Sequence, residues 1–159
     1  MPENQTPIID AQVHAYEADH PARPWAAVLT GPPSANGEEM VAAMDAVGVD
    51  GAILVSAYTM YRYDPSFALE VHAQHPGRFG LVTPFDAADP AVSDKVADWA
   101  AKDGTVGIRL LLAHGIADAA GDAGIANLLG AARQHDIPVN VYCTERHEQV
   151  AELARQFPD

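Results

Sequence analysis

Apolar, β-branched runs alternate with amphipathic stretches along the whole chain. The runs Ile8–Ala15, Ala52–Ala57, Phe79–Phe85, Val106–Ala113 and Pro138–Cys143 predict strands. Between and after them, apolar residues recur at helical spacing. Met40, Val41, Met44 and Val47 share one face, and Gly48 follows as a stop signal. Phe67, Ala68 and Val71 make a second face, and Val92, Val96, Trp99 and Ala100 a third. Ile125, Leu128, Leu129 and Ala132 make a fourth, and Val150, Leu153, Ala154 and Phe157 a fifth. Strand and helix alternate as in βα units on a parallel sheet.

At 159 residues the chain is read as a single domain, residues 1–159, with two candidate architectures. One is the first five βα units of a (β/α)8 barrel, whose usual size is about 250 residues, so that the domain is incomplete at its C-terminus. The alternative is an open, flavodoxin-like parallel sheet, complete at this length. Side-chain parity favours the barrel. Asp10, Gln12 and His14 alternate along the first strand, and Asn140 and Tyr142 along the last, while Arg109 interrupts an apolar run. Polar groups gathered on one face near strand ends suit a barrel mouth. The flavodoxin reading also lacks a phosphate-binding loop after the first strand. Unpaired first and fifth strands would favour self-association or pairing with a complementary barrel half. The long stretch Glu17–Asn36, broken by Pro21, Pro24, Pro32 and Pro33, is read as a lid or binding loop.

Charge narrows the partners. With 9 Lys+Arg, 22 Asp+Glu and a net charge of −13, the chain repels nucleic-acid and anionic membrane surfaces. A single cysteine, Cys143, excludes an intrachain disulfide and a multi-cysteine zinc site. No window approaches the roughly 18 apolar residues of a membrane span, and the N-terminus has no basic, then apolar, signal pattern. A cytoplasmic protein is expected.

The run Ile8-Ile9-Asp10-Ala11-Gln12-Val13-His14-Ala15 resembles the first strand of the amidohydrolase-related barrels, where Asp-x-His-x-His ends the strand. Met44–Asp50, His75–Phe79 and Gly107–Leu110 are similar to further pieces of that family, in the same order over nearly the whole chain. The members it most resembles are lactonases and related decarboxylases. The resemblance implies a divalent metal such as zinc at the barrel mouth, held by two histidines at i and i+2. Such a metal polarises a carbonyl and acidifies a bound water.

This sequence departs from that pattern. Gln12 replaces the first histidine, the fourth strand ends without lysine, and the fifth carries Asn140 and Tyr142 with no histidine. His14 is the only plausible metal ligand, so no tightly bound metal is expected. The resemblance gives His14 and Gln12 the role of hydrogen-bonding a reacting carbonyl. Arg109 would bind a substrate carboxylate; the structural alternative is an ion pair with Asp10 or Asp86. Ser56, Tyr142 and His114 are candidate substrate contacts. Cys143 reads as a strand thiol, and a Cys-His pair with His114 or His147 has no motif behind it. Trp25 with Arg23 and Pro24 either packs the long loop over the mouth or merely anchors it. His72, His75 and His135 read as solvated helix residues.

The expected function is a hydrolase acting on a lactone or similar carboxylate-bearing carbonyl compound, with the 159-residue chain itself inactive or nearly so. The alternatives are a related decarboxylase and a non-catalytic module that binds small carboxylates. The expected partners are a small-molecule substrate and a second copy or a complementary half.

Overall fold

The computed structural model describes residues 6–28, 30–113 and 115–158. Every expected strand forms: β1 Ile9–Val13, β2 Gly51–Val55, β3 Phe79–Pro84, β4 Thr105–Leu112 and β5 Val139–Cys143. The helices are α1 Gly37–Val47, α2 Tyr58–Tyr61, α3 Ser66–Gln74, α4 Val92–Ala100, α5 Ile116–Gln134 and α6 His147–Gln156. The strand order follows the sequence, β1-β2-β3-β4-β5. A flavodoxin-like sheet would run 2-1-3-4-5, so the order decides for the first five βα units of a (β/α)8 barrel. The chain forms two compact units, Met1–Leu81 and Val82–Asp159, and the boundary falls within β3.

In the first unit, α1 is set by its ends. Asn36 Oδ1 accepts from Glu39 N at 3.0 Å, and Glu39 Oε2 accepts from Asn36 N at 2.8 Å, a reciprocal capping box. Gly48 stops the helix at φ 75°, a left-handed turn that suits glycine. Beyond it, Arg78 ties the start of β3 to the end of α1. Its Nε donates to Asp50 O at 2.9 Å, and its Nη2 donates to Asp45 Oδ1 at 2.8 Å and Val49 O at 3.2 Å. Asp50 Oδ2 in turn accepts from Ile8 N at 2.8 Å, just before β1. Two of the motif pieces, Met44–Asp50 and His75–Phe79, thus form one structural joint.

The expectation that His72 and His75 are solvated is corrected. His72 Nδ1 donates to Phe79 O at 2.8 Å, and His75 packs edge-on against the Phe79 ring, centroids 6.2 Å apart. The turn at Gly77, φ 78°, brings the last turn of α3 back onto the first residue of β3. His135, at the end of α5, is exposed as expected.

The second unit is built around β4, buried from Gly107 to Leu112. Val92, Val96 and Trp99 bury one face of α4, and Ile125, Leu128 and Ala132 do the same for α5. Trp99 Nε1 donates to Gly107 O at 3.0 Å, and Ile108 N donates to Pro138 O at 2.9 Å. α5 begins earlier than its apolar face suggests and breaks at Gly121, φ 62° and ψ 174°. Leu110, Leu129, Val141, Val150, Leu153 and Phe157 line a cavity of about 390 Å³ between α5, α6, β4 and β5. Among the described residues, no helix is long and apolar enough to cross a membrane.

Backbone proximity leaves little room for a side chain at Gly107. An added Cβ would lie 3.1 Å from Pro138 O and 3.2 Å from Val82 Cγ2. Gly107→Ala should therefore lose about 1–3 kcal/mol in a denaturant titration. Gly130→Ala, where an added Cβ meets nothing within 4 Å, should be neutral or gain up to about 1 kcal/mol. Equal effects at the two positions would contradict the close approach at β4.

Candidate functional site

The first unit contributes the end of β1. Between the pairs Asp10↔Ala52 and Val13↔Leu54, β1 uses one residue more than β2. This bulge breaks the strict alternation expected for Asp10, Gln12 and His14. Asp10 Oδ1 accepts from Gln12 N at 3.0 Å, which puts the aspartate to work on its own backbone. Gln12 and His14 do meet: their Nε2 atoms lie 3.4 Å apart.

His14 is oriented by β2. Its Nδ1 lies 2.7 Å from Val55 O. A carbonyl only accepts, so Nδ1 carries the proton, and Nε2 of the neutral ring is an acceptor that faces the Gln12 amide nitrogen. Donation from His14 to a substrate carbonyl therefore requires the imidazolium, whereas accepting a proton at Nε2 does not. Ser56 is 3% exposed, and its Oγ donates to Asp64 O at 3.1 Å. That bond ties the end of β2 to the turn after α2.

His14 shares one feature of a metal-ligating histidine, a ring nitrogen on a backbone carbonyl, while its other nitrogen faces the Gln12 amide. The donors around it do not complete a site. The neighbour is an amide, and among the described residues no group of three His, Cys, Asp or Glu could hold an ion. The residues present do not fit the family's metal, and no step is derived through one.

The long loop leaves β1 directly after His14. Tyr16 and Ala35 close its base by mutual backbone hydrogen bonds of 2.9 Å. Glu17 is its hub. The Glu17 carboxylate takes His20 Nε2 at 2.9 Å and the Arg23 guanidinium, whose Nη2 reaches Glu70 Oε2 on α3 at 3.0 Å. Arg23 also lies over the Phe67 ring, 5.2 Å from its centre. Trp25 Nε1 donates to Glu17 O at 3.0 Å, and Glu17 N to the Tyr61 hydroxyl at 3.0 Å. Trp25 therefore anchors the loop within the first unit. Burial pushes the Tyr61 hydroxyl above its ordinary pKa, because the phenolate would lose its hydration.

The second unit contributes β4 and β5, which pair with Arg109↔Asn140 and Leu111↔Tyr142 in register. Register partners in a parallel pair point the same way. Leu110, Val139 and Val141 line the cavity under α5 and α6, so Arg109, Asn140 and Tyr142 occupy the opposite face. Arg109 is 8% exposed, and its guanidinium carbon lies 5.6 Å from the centre of the Tyr142 ring, which is 47% exposed. Desolvation lowers the Arg109 pKa, and the neighbouring Tyr142 opposes that shift. Asp86 Oδ1 accepts from Ala88 N at 2.9 Å, capping its own turn. Cys143 has the helix-side parity of Val139 and Val141, and His147 opens α6. His114 lies outside the described residues.

Sequence reasoning did not place Asn140 with Arg109, nor Glu17, Glu70 and Tyr61 with the loop. The parity of Asn140 and Tyr142 was readable. The loop network joins residues far apart in sequence and carried no signal.

Parallel βα units in sequence order, with a buried cation and polar groups on the face away from the helices, describe a barrel-type chain. The amidohydrolase family model matches residues 9–159. The chain belongs to the amidohydrolase family. It is similar to a probable 2-pyrone-4,6-dicarboxylic acid hydrolase of Acinetobacter baumannii, crystallised with citric acid bound. That match has TM-score 0.74 and 16% identity, over 97% of this chain and 55% of the other. It is also similar to a protein of Agrobacterium tumefaciens in its apo form, with TM-score 0.59 and 19% identity, over 97% of this chain and 54% of the other. The chain thus spans about half the length of these proteins. No curated protein matches it in sequence.

The loop network supports two expectations. Arg23→Ala removes both ion pairs and the ring contact, each worth about 0.2–1 kcal/mol. Thermolysin should then cut within residues 17–34 about fivefold faster or more, with little change in the melting point. Unchanged cleavage would mean that the clamp does not hold the loop. Tyr61 adds a pH dependence. An acid whose folded pKa exceeds its unfolded value of 10.0 stabilises below that value and loses the contribution as pH rises through the folded pKa. Denaturant midpoints should fall above about pH 10, and Tyr61→Phe should flatten that decline.

Proposed function

We propose that this chain belongs to a hydrolase acting on a lactone or similar cyclic carbonyl compound that carries a carboxylate. One observation carries the reading: a guanidinium, 8% exposed, set on the helix-free face of β4 beside the half-exposed Tyr142 ring. Keeping a cation there costs several kcal/mol of hydration. An anionic ligand would form charge-assisted, bidentate hydrogen bonds with such a cation, in a chain whose net charge is −13. The likeness to the probable 2-pyrone-4,6-dicarboxylic acid hydrolase of Acinetobacter supports the same substrate class.

In this reading Arg109 fixes the carboxylate, with Tyr142 as the wall of its site. In the first unit, His14 is the group suited to proton transfer. The ring is neutral and anchored on Val55 O, and its Nε2 is a proton acceptor for a water molecule. The Gln12 amide nitrogen lies 3.4 Å from the same Nε2, so it must turn aside before that lone pair takes a proton from water. Ser56, bonded to Asp64 O, supports the strand end and is not assigned a substrate contact. The strands at the two ends of the order, with Ile9 54% and Tyr142 47% exposed, suit pairing with a second copy or a complementary half.

Binding tests the carboxylate assignment directly. With 2-pyrone-4,6-dicarboxylate as probe, Arg109→Met should weaken binding to this chain tenfold or more, about 1.4 kcal/mol or above. Arg109→Lys should fall between, since an ammonium lacks the planar fork. Equal binding by wild type and Arg109→Met, both folded by circular dichroism, would remove the basis of the proposal.

A further inference from the structure

Asn140 is the register partner of Arg109 and lies on the same face of β5. Its Oδ1 is buried and, among the described residues, has no hydrogen-bond partner. An orphaned acceptor of this kind costs about 1–3 kcal/mol, a cost that a suitable donor would remove. The nearest charged neighbour in register is the Arg109 guanidinium, which the reading above assigns to a carboxylate. A carboxylate has no proton to give, so it cannot satisfy Oδ1. The χ2 torsion of asparagine is broad, which allows the oxygen to turn toward the side where Tyr142 is 47% exposed. A donor beside the carboxylate on the same small ligand would supply that partner.

We propose that Asn140 makes this face of β4 and β5 a hydroxycarboxylate subsite: Arg109 holds the carboxylate, and Asn140 Oδ1 accepts a hydrogen bond from a hydroxyl of the same molecule. The inference rests on the carboxylate reading of Arg109 and adds the ligand class. It also distinguishes the two sides of the proposed reaction. Water adds to the lactone carbonyl, the ring C–O bond breaks, and the released oxygen takes a proton. The product carries a hydroxyl and a new carboxylate, whereas the ring oxygen of the lactone can only accept. Asn140 therefore favours the ring-opened hydroxy acid, and the subsite retains product.

L-Malate and succinate are dicarboxylates that differ by one hydroxyl, and calorimetric titration of the chain with each isolates it. Malate should bind about tenfold tighter, because a site built to receive a hydroxyl leaves a polar group unpaired when that hydroxyl is absent. Asn140→Leu should bring the ratio to about one. Asn140→Asp, which still accepts and keeps the side-chain size, should retain a preference for malate with both ligands bound more weakly. Arg109→Met should abolish both. Equal affinities in the wild type overturn the hydroxyl assignment, and so does a preference that survives Asn140→Leu. If the affinities are equal and Arg109→Met still loses them, the carboxylate reading stands and this one fails. If neither ligand binds, both readings fail.

Discussion

A parallel strand flanked on both sides has two faces and no free edge, so each of its residues is assigned to one environment by parity alone. β4 shows the consequence. Ile108, Leu110 and Leu112 are buried toward one side, while Arg109 and Leu111 are buried toward the other. The register with β5 carries the division across to Val139, Val141 and Cys143 on one side and Asn140 and Tyr142 on the other. A slip of one residue would place the guanidinium among leucines under the helices. The packing of Gly107 against Pro138 and Val82 resists such a slip, because there is no room for a Cβ at that level. The position of the candidate anion site therefore follows from the same contacts that stabilise the second unit.

The first unit solves a different problem. β1 is exposed over most of its length and has β2 as its neighbour in the order, so hydrophobic burial does little to fix it. Polar contacts do that work at both ends. Asp50 holds the backbone before the strand, and Val55 O holds His14 just after it. Arg78 gathers Asp45, Val49 and Asp50 into one joint, and the Glu17 hub folds the long loop back over α3. Much of what resembles a family signature here is this framework and not chemistry. The groups suited to chemistry, His14, Gln12 and Arg109, are few and stand at strand ends or on a strand's helix-free face.

Membership of the amidohydrolase family fits this division between framework and reactive groups. The family pattern asks for two histidines where this chain has Gln12 and His14. A glutamine amide next to an imidazole makes a hydrogen-bonded pair, with the proton of the ring fixed on Val55 O. That pair can take up a proton, and its chemistry differs from that of two imidazoles on an ion. Because the chain covers about half of its structural relatives, the residues that complete any reaction are a matter of the proposal and not of the family name.

Sequence by itself determined the βα rhythm, the strands, the stop at Gly48 and the singular position of Arg109. These follow from period and turn chemistry, which act over a few residues and are written locally. It also determined the parity that puts Asn140 and Tyr142 on one face of their strand. Tertiary structure decided between two sheet orders, because the same alternation of elements is compatible with either. It placed the bulge in β1, which depends on how two strands meet and not on either one. It moved His72 and His75 from presumed solvent to contacts with Phe79, and it gave Glu17 its partners across the loop and α3. Those outcomes depend on contacts between residues distant in the chain, and no local pattern encodes which distant side chain will be the neighbour.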